Sequence, residues 1–107
     1  MVYKEVRHKQ QEFLWLLEGL VDLYSPAIYL ECGIRKGYTF NQIAPKPKVG
    51  RAIGIDIVDC SGVLIDLPKT EFVQSTVQDF ASSWDGPTID LIFHDADPVS
   101  YTHLRAH

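Results

Sequence analysis

Cysteine is scarce in this sequence. Cys32 and Cys60 are the two in 107 residues, and they form no C-x-x-C pair. That excludes a disulfide-built scaffold and gives no zinc-finger spacing. Long apolar runs are missing as well. The longest stretches are strand-length, so nothing matches a membrane-spanning helix. The opening MVYKEVRHKQQEF lacks the apolar core of a secretory leader, so the expected setting is cytoplasmic with no membrane partner. Basic charge is not in excess either. Ten Lys and Arg face fourteen Asp and Glu, for a net charge of -4, and the positive residues are dispersed. The sequence therefore gives no evidence for a nucleic-acid partner. No internal repeat or low-complexity segment breaks the chain.

What is present fits one globular domain or part of one: 46% hydrophobic residues balance 22% charged ones, the proportions of a chain that buries a core. From about Tyr3 to Tyr24, apolar side chains fall at helical spacing on Val6, Phe13, Leu16, Leu17, Leu20, Val21 and Tyr24. Ser25-Pro26 ends that helix. Ala27 to Cys32 (AIYLEC) then reads as a buried strand, Gly33 to Gly37 as a tight loop, and Tyr38 to Ala44 as a helix. PKPKVG is a turn before a second buried strand, Arg51 to Ile57. The stretch from Val58 to Lys69 fits either a short helix or a loop. Glu71 to Gln74 is a third strand, Val77 to Ser83 a helix, and Ile89 to His94 a fourth strand leading into Asp95-Ala96-Asp97. Strands alternating with helices predict an α/β, Rossmann-like fold. The expected form is a partial doubly wound parallel sheet of about four strands, preceded by an N-terminal helix over residues 1–25.

The first strand enters E-x-G-x-x-x-G, with Glu31, Gly33 and Gly37 at the fixed positions. Gly33 allows a sharp turn and close approach of a ligand to bare backbone. Gly37 allows close approach where the next helix begins, and helix N-termini offer N–H donors. A dinucleotide site favours G-x-G-x-x-G, whose extra glycine makes room for pyrophosphate. Here Glu31 stands at that glycine's place. A carboxylate there repels pyrophosphate but suits a ligand carrying a positive sulfonium and an amino group. About 20 residues beyond the loop, Asp56 ends the second strand, where a carboxylate can meet ribose hydroxyls. The bland readings are a βα turn with an exposed acid, and an aspartate that merely caps a loop.

Glu31, Gly33 and Gly37 resemble motif I of the class I S-adenosylmethionine (SAM)-dependent methyltransferases. The resemblance runs from about Tyr29 to Asp97, making 26–97 the SAM-binding half of such a domain. It implies backbone of Gly33 and Gly37 around the methionyl part of SAM, Glu31 near its amino end, and Asp56 on its ribose. Ser75 and Thr76 occupy the places where relatives carry a glycine and an acid near the adenine. Ile89-Asp-Leu-Ile-Phe-His-Asp-Ala-Asp97 is similar to the fourth-strand motif I-D-A-D-H of small-molecule and sugar O-methyltransferases, with His94 replacing an aliphatic residue. That motif implies Asp95 at the ligand and, in some relatives, a divalent cation on acids such as Asp95 and Asp97. The implied activity is methyl transfer to a small molecule or sugar, with no assignable catalytic base. Two rival readings remain: an NAD(P)-dependent oxidoreductase fragment, and a non-catalytic nucleotide-binding module.

Other residues read as structural. Cys32 is a small buried residue, Trp15 and Trp84 are packing groups, and His8 lies on a solvated helix face. Val99 to His107 (VSYTHLRAH) can be back-translated as GTC TCT TAT ACA CAT CTC CGA GCC CAC. Preceded by CT, the last bases of a Pro98 codon, this string resembles a transposon-end adapter used for sequencing libraries. Residues 98–107 are therefore expected to be adapter read-through rather than native, which leaves His103 and His107 without a role. A chain ending at Asp97 would be a truncated enzyme, expected to be poorly soluble and inactive by itself.

Overall fold

Helix α1 (Val2–Tyr24) stops where Pro26 forbids continuation. Ser25 takes a left-handed φ of 47° to turn the chain into strand β1. The computed structural model describes residues 2–95, with side chains from residue 13 onward. The elements that follow are β1 (Ile28–Cys32), α2 (Tyr38–Ile43), β2 (Arg51–Asp56), β3 (Thr70–Gln74), α3 (Val77–Ser83) and β4 (Leu91–His94). The ambiguous stretch before β3 holds one short 3-10 turn, Ser61–Val63, and is otherwise loop. Asp97 and the tail 98–107 lie outside the described residues.

The four strands form one parallel sheet in the order β3-β2-β1-β4. The fold is thus α/β and Rossmann-like, as the alternation of elements predicts. β1 is internal, and every one of its side chains is buried. Alternation along the strands sorts the core into two layers. Tyr29, Ala52, Phe72 and Leu91 pack with Leu17 and Val21 of α1 and with Phe40 and Ile43 of α2. Ile28, Leu30, Ile53 and Ile55 pack on the other face with Phe80 of α3. Phe40, Ile43 and Ile53 are fully buried, each contributing roughly 1.5–3 kcal/mol relative to exposure. Ile92 and His94 of β4 are exposed. Their register with Leu30 and Cys32 puts them on the α3 side of the sheet.

The apolar stripe of α1 is narrower than its periodicity predicts. Leu17 and Val21 are buried, and Leu14 packs against the same core. Phe13, Leu16 and Tyr24, expected on that face, are at least half exposed, and Trp15 is 70% exposed rather than a packing group. The helix meets the domain along one edge, beside α2, so a second apolar face points outward. Among the described residues no helix is long and apolar enough to cross a membrane. Trp84 does pack, stacking on Phe80 with ring centroids 5.5 Å apart and lying under the Arg51 guanidinium.

Lys69 joins two turns at the amino edge of the sheet. Its ammonium donates to the carbonyl oxygens of Lys46 and Val49, at 2.7 and 2.9 Å. Hydrogen bonds from a charged donor contribute about 1.5–3 kcal/mol. Lys69→Met should lower unfolding free energy in urea by about that amount. Lys48→Met should lower it less, because Lys48 donates one exposed bond, to Asp22.

Candidate functional site

The chain runs outward from β1 through β2 to β3, then returns to place β4 on the other side of β1. The order reverses at the carboxyl ends of β1 and β4, the place where open α/β sheets hold ligands. Glu31, Gly33, Asp56, Ser75 and Asp95 all come from this edge.

Glu31 is 1% exposed, so it is not the solvated acid of an ordinary turn. One carboxylate oxygen accepts the Tyr29 hydroxyl at 2.6 Å, and the backbone N–H of Phe40 in α2 also donates to the group. Among the described residues no cation is paired with it. Burial is the largest influence and raises its pKa. The Tyr29 hydroxyl and Phe40 N–H pull it down, while the Asp95 carboxylate adds to the rise. The balance leaves Glu31 pushed up to about 8. Burial also raises Tyr29 far above the ordinary phenol range, with Glu31 reinforcing it. Cys32, on the opposite face, is buried with its thiol pushed up to about 11 by burial and then by Glu31. It stays a neutral packing group.

The glycine loop has the backbone its sequence requires. Gly33 and Gly37 have φ of 89° and 80°, both left-handed. Gly33 N–H donates to the Ile55 carbonyl at 2.9 Å, and Gly37 N–H to Ile34 at 3.0 Å. A Cβ on Gly37 would lie 3.1 Å from the Val63 carbonyl oxygen and 3.2 Å from Leu64. The close approach at Gly37 is therefore to the chain's own loop after β2. Arg35 is also left-handed, with φ 55° and no glycine to ease it, a conformation costing roughly 1–2 kcal/mol. Sequence reading gave no sign of this.

Asp56 lies across from that loop. Its Oδ2 accepts the N–H groups of Ile34 and Arg35 at 2.8 and 3.1 Å, and Oδ1 accepts Val58 N–H at 3.1 Å. Partial burial alone would raise its pKa. Those three donors and the Cys60 thiol instead hold it below the usual carboxylate range. Asn41 braces the same region, donating to Val63 and accepting from Ile65 N–H. Ser75 N–H donates to the Asp56 carbonyl at 2.9 Å, joining the ends of β3 and β2. Thr76 caps α3, its hydroxyl accepting Asp79 N–H at 3.0 Å. Asp95 N–H donates to Cys32 at 2.8 Å, which keeps the end of β4 beside the loop. Among the described residues no group of three or more metal-binding side chains gathers. Asp97, the second acid of the expected cation pair, lies outside them.

Tyr29 was not singled out from the sequence, although a period of two puts it on the face of Glu31. The Cys60 and Asn41 contacts carry no sequence signal.

No protein-family model and no curated protein sequence matches the chain. Solved structures do. The cofactor-bound protein Rv0187 from MTB is 25% identical over 89% of this chain, with a TM-score of 0.58. A protein from Klebsiella pneumoniae, assigned as an O-methyltransferase, is 27% identical over 91% of this chain, with a TM-score of 0.61. The chain spans about half the length of these structures, 48% of each. It has the fold of class I SAM-dependent methyltransferases.

The buried acid makes stability depend on pH. Glu31 has an ordinary value of 4.5 when unfolded and about 8 when folded, so the folded chain binds the extra proton between those values. Stability is then greatest below pH 4.5 for this group and falls as pH rises to about 8. Glu31→Gln should remove this contribution. Urea midpoints compared from pH 5 to 8.5 should fall more steeply for the wild type than for the variant. Parallel profiles would show that Glu31 ionises freely in the fold.

Proposed function

We propose that this chain is the donor-binding half of a SAM-dependent methyltransferase acting on a hydroxyl of a small molecule or sugar. The observation that carries the reading is Glu31. It is a buried carboxyl at the reversal point of the sheet, with no cation beside it among the described residues. Such a group disfavours pyrophosphate and is stabilised in its charged form by a ligand ammonium or sulfonium. The left-handed loop of Gly33 and Gly37 shapes the backbone at that edge. Ser75, Thr76 and Asp95 stand at or just beyond the ends of neighbouring strands, on the adenine and acceptor sides of a donor lying across the edge. The fold shared with the two solved structures supports the same reading.

SAM supplies a methyl carbon already activated by its sulfonium. Transfer of that methyl to an acceptor hydroxyl would break the sulfur–carbon bond, leave its electron pair on sulfur as S-adenosylhomocysteine, and release the hydroxyl proton to solvent. What the protein adds is mainly alignment of the two reactants. In this reading Glu31 holds the amino-acid end of the donor, and Tyr29 keeps the Glu31 carboxylate aimed by donating its hydroxyl.

Titration calorimetry of the full chain with S-adenosylhomocysteine tests the proposal, with NAD+ as the competing ligand. One site per chain is expected for the first and none for the second. Glu31→Gln should weaken binding by about tenfold or more, the scale of a charge-assisted hydrogen bond. Binding of NAD+ without S-adenosylhomocysteine, or equal affinity of the variant, would sink the reading.

A further inference from the structure

Between Phe13 and Tyr24, helix α1 carries two charged residues, Glu18 and Asp22. Both carboxylates lie toward the turn after α2, 3.7 and 3.9 Å from the Lys46 ammonium. Lys48 bonds the Asp22 carbonyl on the same side. Leu17 and Val21 are buried against the core beneath. What remains of the helix surface is uncharged, and its side chains are large. Phe13, Trp15, Leu16, Leu23 and Tyr24 are between 50% and 73% exposed. A surface helix ordinarily turns its charges to water and its apolar side inward. Here the acids lean on the domain and much of the apolar surface is left outside.

Gly19 marks the centre of this outward side. At 3.6 residues per turn it is flanked by Trp15 and Leu23, one turn before and one after, with Leu16 beside them. A Cβ at Gly19 would meet nothing within 4 Å, so packing within the chain gives no reason for glycine there. Glycine inside a helix lowers its stability. A notch between two large side chains is, however, what lets a second helix approach closely.

The exposed area suits a modest interface. Side chains of this size, exposed to this degree, present on the order of 500 Å². Two such patches face to face would bury about 1,000 Å², the lower bound of specific interfaces. Charge selects the occupant. At a net charge of -4, two copies repel each other over most of their surface, but this patch brings no charge to either side of a contact. A different protein would be selected by complementary charge around the patch, and the outward side from Phe13 to Tyr24 offers none. Identical patches related by a two-fold axis need no such code.

We propose that two copies of this chain pair through α1, the helices crossing at Gly19 with Trp15, Leu16 and Leu23 of each packed against the other. Nothing in this pairing depends on what binds at the strand ends.

Sedimentation equilibrium of the full chain from about 1 to 200 μM should fit a monomer–dimer equilibrium, with Kd on the order of 10 μM for an interface of this size. Leu16→Glu combined with Leu23→Glu should weaken it by about a hundredfold or more, because carboxylates then face each other across the two-fold axis. Both positions are exposed in the single copy, so the double variant should keep the urea midpoint that the wild type shows at high dilution. Gly19→Cys should give a disulfide-linked dimer on mild oxidation. Cys32 and Cys60 are buried and offer no competing thiol. The rival contact is the outer edge of β4, which pairs with no other described strand and where Ile92 is 57% exposed. Ile92→Lys should therefore leave the dimer intact. A chain that stays monomeric throughout that range would overturn the proposal. So would association that survives the double substitution, is lost in Ile92→Lys, or yields no cross-link through Gly19→Cys.

Discussion

Glu31 sits in the internal strand of the sheet with a carboxyl group that water does not reach. Ionising it there is unfavourable, and the donors that compensate are a phenol and one backbone N–H. The rest of the edge is arranged around this constraint. β4 brings Asp95, a second negative group, towards it rather than a positive one. α2 starts beside it and turns an N–H inward. A domain selected for stability alone would place an apolar residue at such a position. In the reading proposed above, the carboxyl there meets a ligand carrying positive charge.

The loop at this edge meets a different carboxyl. Asp56 accepts three backbone N–H groups, while Glu31 keeps two donors and a raised affinity for protons. Two acids at the ends of neighbouring strands thus differ in proton affinity because of their surroundings, one held below the usual carboxylate range and the other raised above it. The difference comes from donors: Asp56 faces the loop's N–H groups, and Glu31 faces the core layer between the sheet and α2. Parallel pairing of β1 with β2 in fixed register sets the distance between them.

Much of this arrangement was legible in the sequence. Apolar strands alternating with helices gave the sheet, and α3 begins and ends where its pattern predicts. Positions 33 and 37 read as glycines required by a turn, and both have left-handed φ. The outward face of α1 was misread because periodicity reports that a helix has an apolar side, not how much of it is covered. Phe13, Leu16 and Tyr24 satisfy the spacing and remain exposed. The loop contacts of Asp56 were hidden for another reason. Its partners are backbone N–H groups, which every residue but proline carries, so Ile34 and Arg35 leave no mark in the sequence. The loop before β3 was ambiguous because its order comes from single side chains, Asn41 and Thr70, rather than from a repeating pattern.

The central claim is that Glu31, neutral in the free protein, becomes charged when a cationic donor arrives. Calorimetric titration with S-adenosylhomocysteine at about pH 7, in buffers of different ionisation enthalpy, measures the protons exchanged on binding. With the acid pushed up to about 8 in the free chain, binding should release most of one proton, and Glu31→Gln should release none. Binding that takes up protons, or leaves their number unchanged in the wild type, would contradict the account.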